Sequence, residues 1–323
     1  MVYIVFIIAA VFVVYGAIQL NKYGDVISQK SAMSGAMVGT VLIAGATSLP
    51  ELTTSVTAVY IDNVDIAVGN MLGSNVFNLL IIALIDFIYR RKRAFDHVNS
   101  SHQLPAALFG VVMTLIVIVA LIWDYNVSIF NIGIEMFVLV ALYIVCVKLF
   151  DQEEPALEAD ELIENEDISL KKAIRYFVFS AIAVLVAGSI LSISGDLLAV
   201  QTGMNSSFVG SVLIAAATSL PELVAVIAAF KIANYAMAIG SILGSNLFNL
   251  LLIAFTDAFY QKGPILQGAS PSMIATASLS LGMMVITLFM LIRKQTKNLI
   301  TYALPPMIII ITYIVVSYQI FNY

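Results

Sequence analysis

Two glutamates interrupt stretches of the sequence that are otherwise apolar. Glu51 follows the run VGTVLIAGATSLP, and Glu222 follows the nearly identical run VGSVLIAAATSLP. An ionised carboxylate deep in a bilayer costs at least about 2.5–3.5 kcal/mol on insertion scales. No lysine or arginine lies in the central part of an apolar run, so a salt bridge would not offset this cost. We therefore predict that both side chains bind cations, with a carboxyl group that stays protonated as the alternative.

The residues before each glutamate could supply further oxygen ligands. Pro50 and Pro221 directly precede the glutamates, and a proline removes one backbone N–H group and crowds the carbonyl four residues back. This should free carbonyl groups around Ala44–Thr47 and Ala215–Thr218, and broken helices are tolerated at membrane depth where they line a cavity. Hydroxyl groups close before the glutamates come from Thr47, Ser48, Thr218 and Ser219.

A second motif also occurs twice, first as GNMLGSNVFNLL and later as GSILGSNLFNLL. Ser74 and Asn78 are four residues apart and share a helix face, and Ser245 and Asn249 repeat this arrangement. The glycine before each serine allows neighbouring helices to approach closely. Ca²⁺ takes about six to eight oxygen ligands and Na⁺ is satisfied by fewer, so this set suits either ion. The motifs contain no His or Cys, which makes zinc, copper and iron poor candidates.

Both motif pairs share one spacing, because 222 − 51 = 171 and 249 − 78 = 171. Twelve of the 14 residues of Gly39–Leu52 recur in Gly210–Leu223, and nine of 12 recur in the second pair. The chain is therefore a duplication, with about five helices in each half. Because five is odd, the second half enters the membrane from the opposite face. Inverted repeats are typical of secondary transporters, whose sites lie at the repeat interface near the midplane.

The composition predicts that lipid surrounds most of the chain. The 323 residues are 61% hydrophobic and only 11% charged, whereas soluble domains average about 25% charged residues. We predict an all-α membrane protein with ten transmembrane helices in two inverted five-helix repeats, residues 1–150 and 171–323, joined by an acidic linker at 151–170. The first apolar run lacks a basic start and a cleavage site, which favours a retained helix over a signal peptide. The predicted spans are residues 2–21, 34–60, 65–89, 104–123, 127–149, 173–195, 205–230, 233–260, 271–292 and 299–320.

Basic residues are distributed unevenly between the two sides of the predicted membrane. One side has only Lys262. The other side has 14: Lys22, Lys30, Arg90, Arg91, Lys92, Arg93, Lys148, Lys171, Lys172, Arg175, Lys231, Arg293, Lys294 and Lys297. Basic residues in short loops stay cytoplasmic, so both termini are expected outside a prokaryotic plasma membrane. The linker, where Asp151–Asp167 holds nine of the 20 acids, is expected in the cytoplasm as a solvated segment.

The doubled TSLPE and GSNxFN signatures resemble those of the Ca²⁺/cation antiporter superfamily, in particular its sodium/calcium exchanger branch of prokaryotic type. The resemblance covers essentially the whole chain. It implies an antiporter with four ion sites between helices 2, 3, 7 and 8, and with helices 1 and 6 sliding across a stationary core. The implied Na⁺ sites are formed by Ala44, Thr47, Ser48, Glu51 and Ser74, and by Ala215, Thr218, Ser219, Glu222 and Ser245. The implied Ca²⁺ site uses both glutamates and the carbonyls of Thr47 and Thr218, with Asn78 and Asn249 flanking a central position.

The identity of the coupling ion is left open by the sequence. Sodium/calcium exchangers usually carry Asp at one or both positions that match Asn78 and Asn249, so this site has at most two formal negative charges. Proton-coupled relatives have a motif closer to GNxxE, so TSLPE favours Na⁺, and H⁺/Ca²⁺ antiport is the alternative. A cation channel is a third possibility, whereas HExxH, GxSxG and GxGD motifs of intramembrane enzymes do not occur. The expected partners are Ca²⁺, Na⁺ or H⁺ and membrane lipid, with no resident cofactor and no nucleic acid, and a monomer is expected to function.

Five other polar residues inside the apolar runs are assigned structural roles. Asp86 and Asp257 also obey the spacing of 171 and lie near the ends of their helices, which favours capping or snorkelling. Glu135 has no acidic counterpart, and we predict that it is protonated or faces a polar gap. Asn75 and Asn246 lie at a different angle from the motif serines and are predicted to bond a neighbouring helix.

Overall fold

The computed structural model describes residues 1–30, 48–98, 103–123, 127–151, 168–293, 296 and 298–322, and most of these residues are helical. The main helices are α1 (Val2–Lys30), α2 (Leu49–Tyr60), α3 (Val64–Ile88), α4 (Gln103–Ile122), α5 (Ile134–Asp151), α6 (Leu170–Thr202), α7a (Ser206–Thr218), α7b (Leu220–Lys231), α8 (Tyr235–Phe259), α9 (Ser272–Ile292) and α10 (Leu299–Phe321). Short helical turns occur at Arg90–Lys92, Ala94–His97 and Ile265–Gly268.

Every predicted span overlaps a helix in the described part of the chain. Seven of these helices are long and apolar enough to cross a membrane, and α7a with α7b would add an eighth as one bent span. The described part of α2 is only 12 residues long. Three charged side chains lie within the 18 residues of α5. The chain is therefore a helical membrane protein, and the total of ten spans stays a prediction.

The predicted span at 127–149 begins too early. Ser128–Ile129 pairs with Ile132–Gly133 as a two-stranded antiparallel hairpin ahead of α5. Phe130 and Asn131 form its turn with φ values of 55° and 66°, a left-handed conformation that a continuous right-handed helix does not contain. The hairpin is a small exception to the all-helical prediction. Conversely, α1 and α6 continue past their apolar runs, because hydropathy marks only the part of a helix that suits lipid.

The duplication is visible in the local structure of two turns. Asp62 and Ala233, 171 residues apart, both have a positive φ, 63° and 59°. The following asparagines repeat the same contacts: Asn63 Oδ1 accepts from the Ile66 N–H at 3.0 Å, as Asn234 Oδ1 does from the matching N–H of α8 at 3.1 Å. Asparagine is among the best residues at a helix N-cap because it satisfies such a free N–H group. The two asparagines therefore start α3 and α8 in the same way.

The helices that carry the second motif form the centre of the bundle. In α3 78% of the spanning segment is buried, and in α8 67%, compared with 28% in α1 and α10. Helices α1 and α6 pack lengthwise against each other. Two polar contacts tie α6 to the turn and helix before α3: Thr57 Oγ1 lies 3.0 Å from Ser189 Oγ, and Asn63 Nδ2 donates to Asp196 Oδ1 at 2.6 Å.

Candidate cation-binding site

The break between α7a and α7b places Glu222 at a helix start. The two parts meet at Ser219 with a bend of 44°, and α7a contains a π-helical stretch at Val209–Ile214. This confirms the predicted break in the second repeat. Ser48 and Ser219 have nearly the same backbone angles, φ −98° and ψ 9° against φ −91° and ψ 4°, and each begins a Leu-Pro-Glu helix. Proline suits a first helical turn because its missing N–H would have no partner there.

Both glutamates therefore lie in the first turn of a helix, Glu51 in α2 and Glu222 in α7b. The positive end of a helix dipole stabilises a carboxylate at this place. Their side chains are buried, with 1% and 7% of the surface exposed. The two carboxylates are close enough to repel each other, and the hydroxyl groups of Thr218 and Ser74 face the Glu51 carboxylate. The structure thus brings the two predicted acids and two predicted hydroxyl ligands together.

Among the described residues, no basic side chain forms an ion pair with either glutamate. An ion pair is observed at the surface instead, between Lys262 and Asp62. Several oxygens of the predicted ligands are buried and have no hydrogen-bond partner in the described part of the chain. They are both carboxylate oxygens of Glu51, Oε2 of Glu222, the hydroxyls of Ser48 and Ser219, and Oδ1 of Asn78 and Asn249. A buried polar atom without a partner costs about 1–3 kcal/mol, and more if it is charged. These seven oxygens come from α3, α8 and the starts of α2 and α7b, and their chemistry suits a cation.

Side chains from the two repeats bond directly to each other in this region. Ser74 Oγ lies 3.3 Å from Thr218 Oγ1. Asn78 Nδ2 donates to Asn246 Oδ1 at 3.0 Å, and Asn246 Nδ2 donates to the Asn75 carbonyl at 3.2 Å. The predicted role in bonding a neighbouring helix is thereby confirmed for the side chain of Asn246, whereas Asn75 contributes its backbone carbonyl and the role of its side chain stays a prediction. The bond to Asn246 fixes the orientation of the Asn78 amide, whose oxygen has no hydrogen-bond partner among the residues that the structure describes.

The remaining predicted ligands differ in how the structure places them. Ala215 is buried, but its carbonyl accepts from Thr218 Oγ1 at 3.3 Å and from the Ser219 N–H at 3.0 Å, so it is not freed by the helix break. Ser245 is half-buried. Ala44 and Thr47 lie outside the described residues, as does the first part of the predicted span 34–60. The use of all these groups as ligands stays a prediction.

Asn70 is a residue of the site that the sequence analysis did not single out. It is fully buried, and its amide contacts the Glu51 carbonyl, Thr54 and Ser55 on one side and Thr218 on the other. One sequence signal could have revealed it, because it lies four residues before Ser74 and so shares that helix face.

The acids outside the centre have structural partners. Asp257 accepts from the Gly133 N–H at 2.8 Å and from the Ile265 N–H at 2.6 Å. Asp86 accepts from the Tyr302 hydroxyl, which itself accepts from the backbone N–H after Ala94. Asp257 thus joins the segment after α8 to the hairpin before α5, and Asp86 reaches the segment after α3 through Tyr302. Neither contact is a helix cap, so the predicted capping or snorkelling stays a prediction. Glu135 is buried near Asp257, and no group of three or more acidic, His or Cys side chains suited to a metal occurs among the described residues.

Comparisons with known proteins agree with this architecture. The chain is 28% identical over 265 residues to the inner membrane protein YrbG of Escherichia coli K12, covering 80% of each sequence. Its fold is similar to that of the H⁺/Ca²⁺ exchanger CAX, with a TM-score of 0.70, 16% identity and coverage of 99% and 87% of the two chains. The sodium-calcium exchanger NCX_Mj is also similar, with a TM-score of 0.58, 21% identity and coverage of 98% of each chain.

A family model described as sodium/calcium exchanger protein matches residues 1–150 and 172–321, which is nearly the whole chain. The gap between the matched segments coincides with the acidic linker. The family consists of transporters and not of enzymes. The chain therefore belongs to the sodium/calcium exchanger protein family of membrane cation antiporters.

Proposed function

We propose that the protein is a secondary active antiporter that exchanges Ca²⁺ for Na⁺ by alternating access, with Glu51 and Glu222 as the central ligands. The observation that carries the proposal is a set of seven buried oxygens that have no hydrogen-bond partner among the described residues, three of them carboxylate oxygens. A buried charge without a partner is strongly unfavourable, and a bound cation would supply the missing partner for several oxygens at once.

The chemistry of these oxygens supports Ca²⁺ as the divalent ion. Carboxylate, amide and hydroxyl groups are hard ligands, and Ca²⁺ accepts an irregular shell of about six to eight of them. Mg²⁺ is a poorer fit because it demands a nearly octahedral shell and gives up water reluctantly. Both Na⁺ sites proposed from the resemblance share a glutamate with the Ca²⁺ site, so Na⁺ and Ca²⁺ would compete for the same carboxylates. Competition for shared ligands is a simple route to exchange.

Proton coupling is the second candidate. It is supported by the similarity of the fold to an H⁺/Ca²⁺ exchanger and by the two buried carboxyl groups, which could be neutralised by protons instead of Na⁺. The TSLPE sequence around both glutamates favours Na⁺.

We also propose the arrangement of the chain in the membrane. It would have ten spans in two inverted repeats, residues 1–150 and 171–323, with both termini outside and the linker 151–170 in the cytoplasm of a prokaryotic cell. Support comes from the helices in every predicted range, the matching turns 171 residues apart, and the 14-to-1 distribution of basic residues. All proposed ligands come from one chain, so a monomer would suffice.

The test is a flux assay with purified protein in lipid vesicles. Vesicles loaded with Na⁺ should take up ⁴⁵Ca²⁺ when diluted into medium without Na⁺, and gradients of K⁺, Li⁺ or H⁺, each applied alone, should not drive uptake. Glu51→Gln and Glu222→Gln should each reduce uptake to background. Asp62→Asn is the matched control, because this acid lies at the surface beside Lys262 and should transport normally.

Each alternative predicts a different result. Uptake that follows only the pH gradient would replace Na⁺ coupling by H⁺ coupling. Ca²⁺ flux that needs no counter-ion would indicate a channel. Normal exchange by both glutamine variants would refute the site itself.

A further inference from the structure

The first repeat contains a hydrogen-bond network beside Glu51 that is centred on Asn70. The Nδ2 atom of Asn70 lies 2.6 Å from Thr54 Oγ1, 3.0 Å from Ser55 Oγ and 3.2 Å from the Glu51 carbonyl. An amide has two N–H donors, so these three acceptors share them. The contacts fasten α3 to the first turns of α2, where Glu51 itself lies.

The same amide reaches the other repeat. Asn70 Oδ1 accepts from Thr218 Oγ1 at 3.2 Å, and this hydroxyl also lies 3.3 Å from Ser74 Oγ. One buried side chain therefore connects the backbone of Glu51 with a proposed ligand at the end of α7a.

Among the described residues, the second repeat shows no such network around the residue that matches Asn70. The position 171 residues after Asn70 is Ser241, which is exposed and donates to the carbonyl of Ala238 within its own helix at 3.0 Å. The positions that match Thr54 and Ser55 are Ala225 and Val226. Asn70 is thus replaced by the shorter Ser241, and the hydroxyls of Thr54 and Ser55 are replaced by apolar side chains that cannot form a hydrogen bond, although the flanking motifs are nearly identical.

We propose that Asn70 is a positioning residue that holds the Glu51 side of the site in a fixed geometry, while the Glu222 side adjusts when one cation replaces another. This inference rests on the proposed antiport. Ligands bind an ion tightly when supporting hydrogen bonds keep them close to the productive geometry. The fixed oxygens around Glu51 would supply part of the coordination shell before an ion binds. The less restrained oxygens around Glu222 would move to fit the different coordination shells of Ca²⁺ and Na⁺.

The test compares Asn70→Ser, which installs the residue of the second repeat, with Ser241→Ala as the matched control. Asn70→Ser should raise the KM for Ca²⁺ about 3- to 10-fold, the effect of losing one buried hydrogen bond that supports the bound state. The maximal rate per folded molecule should stay within about twofold. Ser241→Ala should change neither quantity. If Asn70 has only a structural role, Asn70→Ser should lower the yield of folded protein and leave the KM of the folded fraction unchanged. That result would overturn the proposal.

Asn70→Asp separates positioning from direct ion binding. It keeps an oxygen at the place of Oδ1 but replaces the amide donor by an acceptor that faces Thr54 and Ser55. A positioning role requires the donor, so Asn70→Asp should raise the KM at least as much as Asn70→Ser. A KM below that of the unmodified protein would show that the amide donor is dispensable and would refute the proposal.

Two further controls cover failures that have other causes. If Asn70→Ser does not fold, Thr54→Val can replace it, because it removes the shortest contact of the Asn70 amide and should also raise the KM. An unchanged KM in Thr54→Val would then count against the network. The unmodified protein must show Na⁺-driven uptake in the same vesicles. If it does not, the proposed function fails. If it does and Asn70→Ser matches Ser241→Ala, only the inference about Asn70 fails.

Discussion

Asn78 and Asn249 occupy matching positions in the two repeats, but their amides have different surroundings. Asn78 Nδ2 donates to Asn246 Oδ1, and Asn246 cannot reverse its own amide without losing its bond to the Asn75 carbonyl. The amide of Asn249 makes no hydrogen bond within the described part of the chain, and its oxygen is buried without a partner. Asn249→Asp should therefore add a carboxylate without breaking a bond, whereas Asn78→Asp would turn a donor into an acceptor that faces another acceptor.

The size of the two effects can be estimated. A unit charge about 4 Å from a divalent ion gains about 8 kcal/mol at an effective dielectric constant of about 20. Repulsion by the two glutamates and desolvation of the new carboxylate oppose most of this gain, so Asn249→Asp should bind Ca²⁺ about tenfold more tightly. The same balance applies to Asn78→Asp, but the loss of its hydrogen bond to Asn246 makes the binding free energy for Ca²⁺ less favourable by about 1–3 kcal/mol. Asn78→Asp should consequently bind Ca²⁺ roughly 5- to 150-fold more weakly than Asn249→Asp.

Isothermal titration of Ca²⁺ into purified protein in Na⁺-free detergent solution would measure both dissociation constants. Repeating the pair with Asn246→Ala provides a double-mutant cycle, and the difference between the two variants should shrink when the facing acceptor is removed. Binding by Asn78→Asp that equals or exceeds binding by Asn249→Asp, with Asn246 intact, would refute the reasoning.

Two predictions concern stability. A Cβ atom at Gly73 would lie 2.5 Å from the Cα of Ser211 in α7a, and such overpacking costs about 1–3 kcal/mol. Gly73→Ala should therefore lower the melting temperature in detergent by several degrees, whereas Gly282→Ala, with nothing described within 4 Å, should not; equal shifts would contradict the close contact. Asp257→Asn keeps one of two acceptor oxygens for the loop N–H groups, so it should lower the melting temperature and leave the KM for Ca²⁺ unchanged. A changed KM at an unchanged melting temperature would instead assign Asp257 to the ion path.

Much of the fold could be predicted because the duplication compares the chain with itself. Residues that recur 171 positions apart identify features that both halves need, such as the glutamates and the asparagine caps before α3 and α8. Where the structure describes both members, the local geometry also recurs, as the backbone angles of Ser48 and Ser219 show. Hydropathy then located the spans, since each helix that passes through lipid must be apolar over most of its length.

The comparison of the two repeats does not reveal residues that differ between them. The counterpart of Asn70 is Ser241, so this position is not one of the matched pairs. The bonds of Asn70 to Thr54 and Ser55 depend on how α2 lies against α3. Such contacts between elements are not contained in the spacing of residues along one helix. The hairpin before α5 was missed for a related reason. Ile129, Phe130 and Ile132 continue an apolar run, and composition does not reveal the backbone reversal at Phe130.

The charge of the proposed site gives a physical reason for exchange instead of leakage. Glu51 and Glu222 are both at helix N-termini, where the helix dipoles favour their ionised forms, yet they repel each other in a buried region without a basic partner among the described residues. An empty site would carry this repulsion through any closed state that excludes water, where charges interact more strongly than in solution. A site loaded with Ca²⁺ or with monovalent cations would not. The neutral asparagines at positions 78 and 249 keep the charge to be compensated at two, so one divalent ion neutralises the pair as completely as two monovalent ions do. In the proposed mechanism, the two carboxylates that bind the ion would therefore also set the barrier against a conformational change of the empty site.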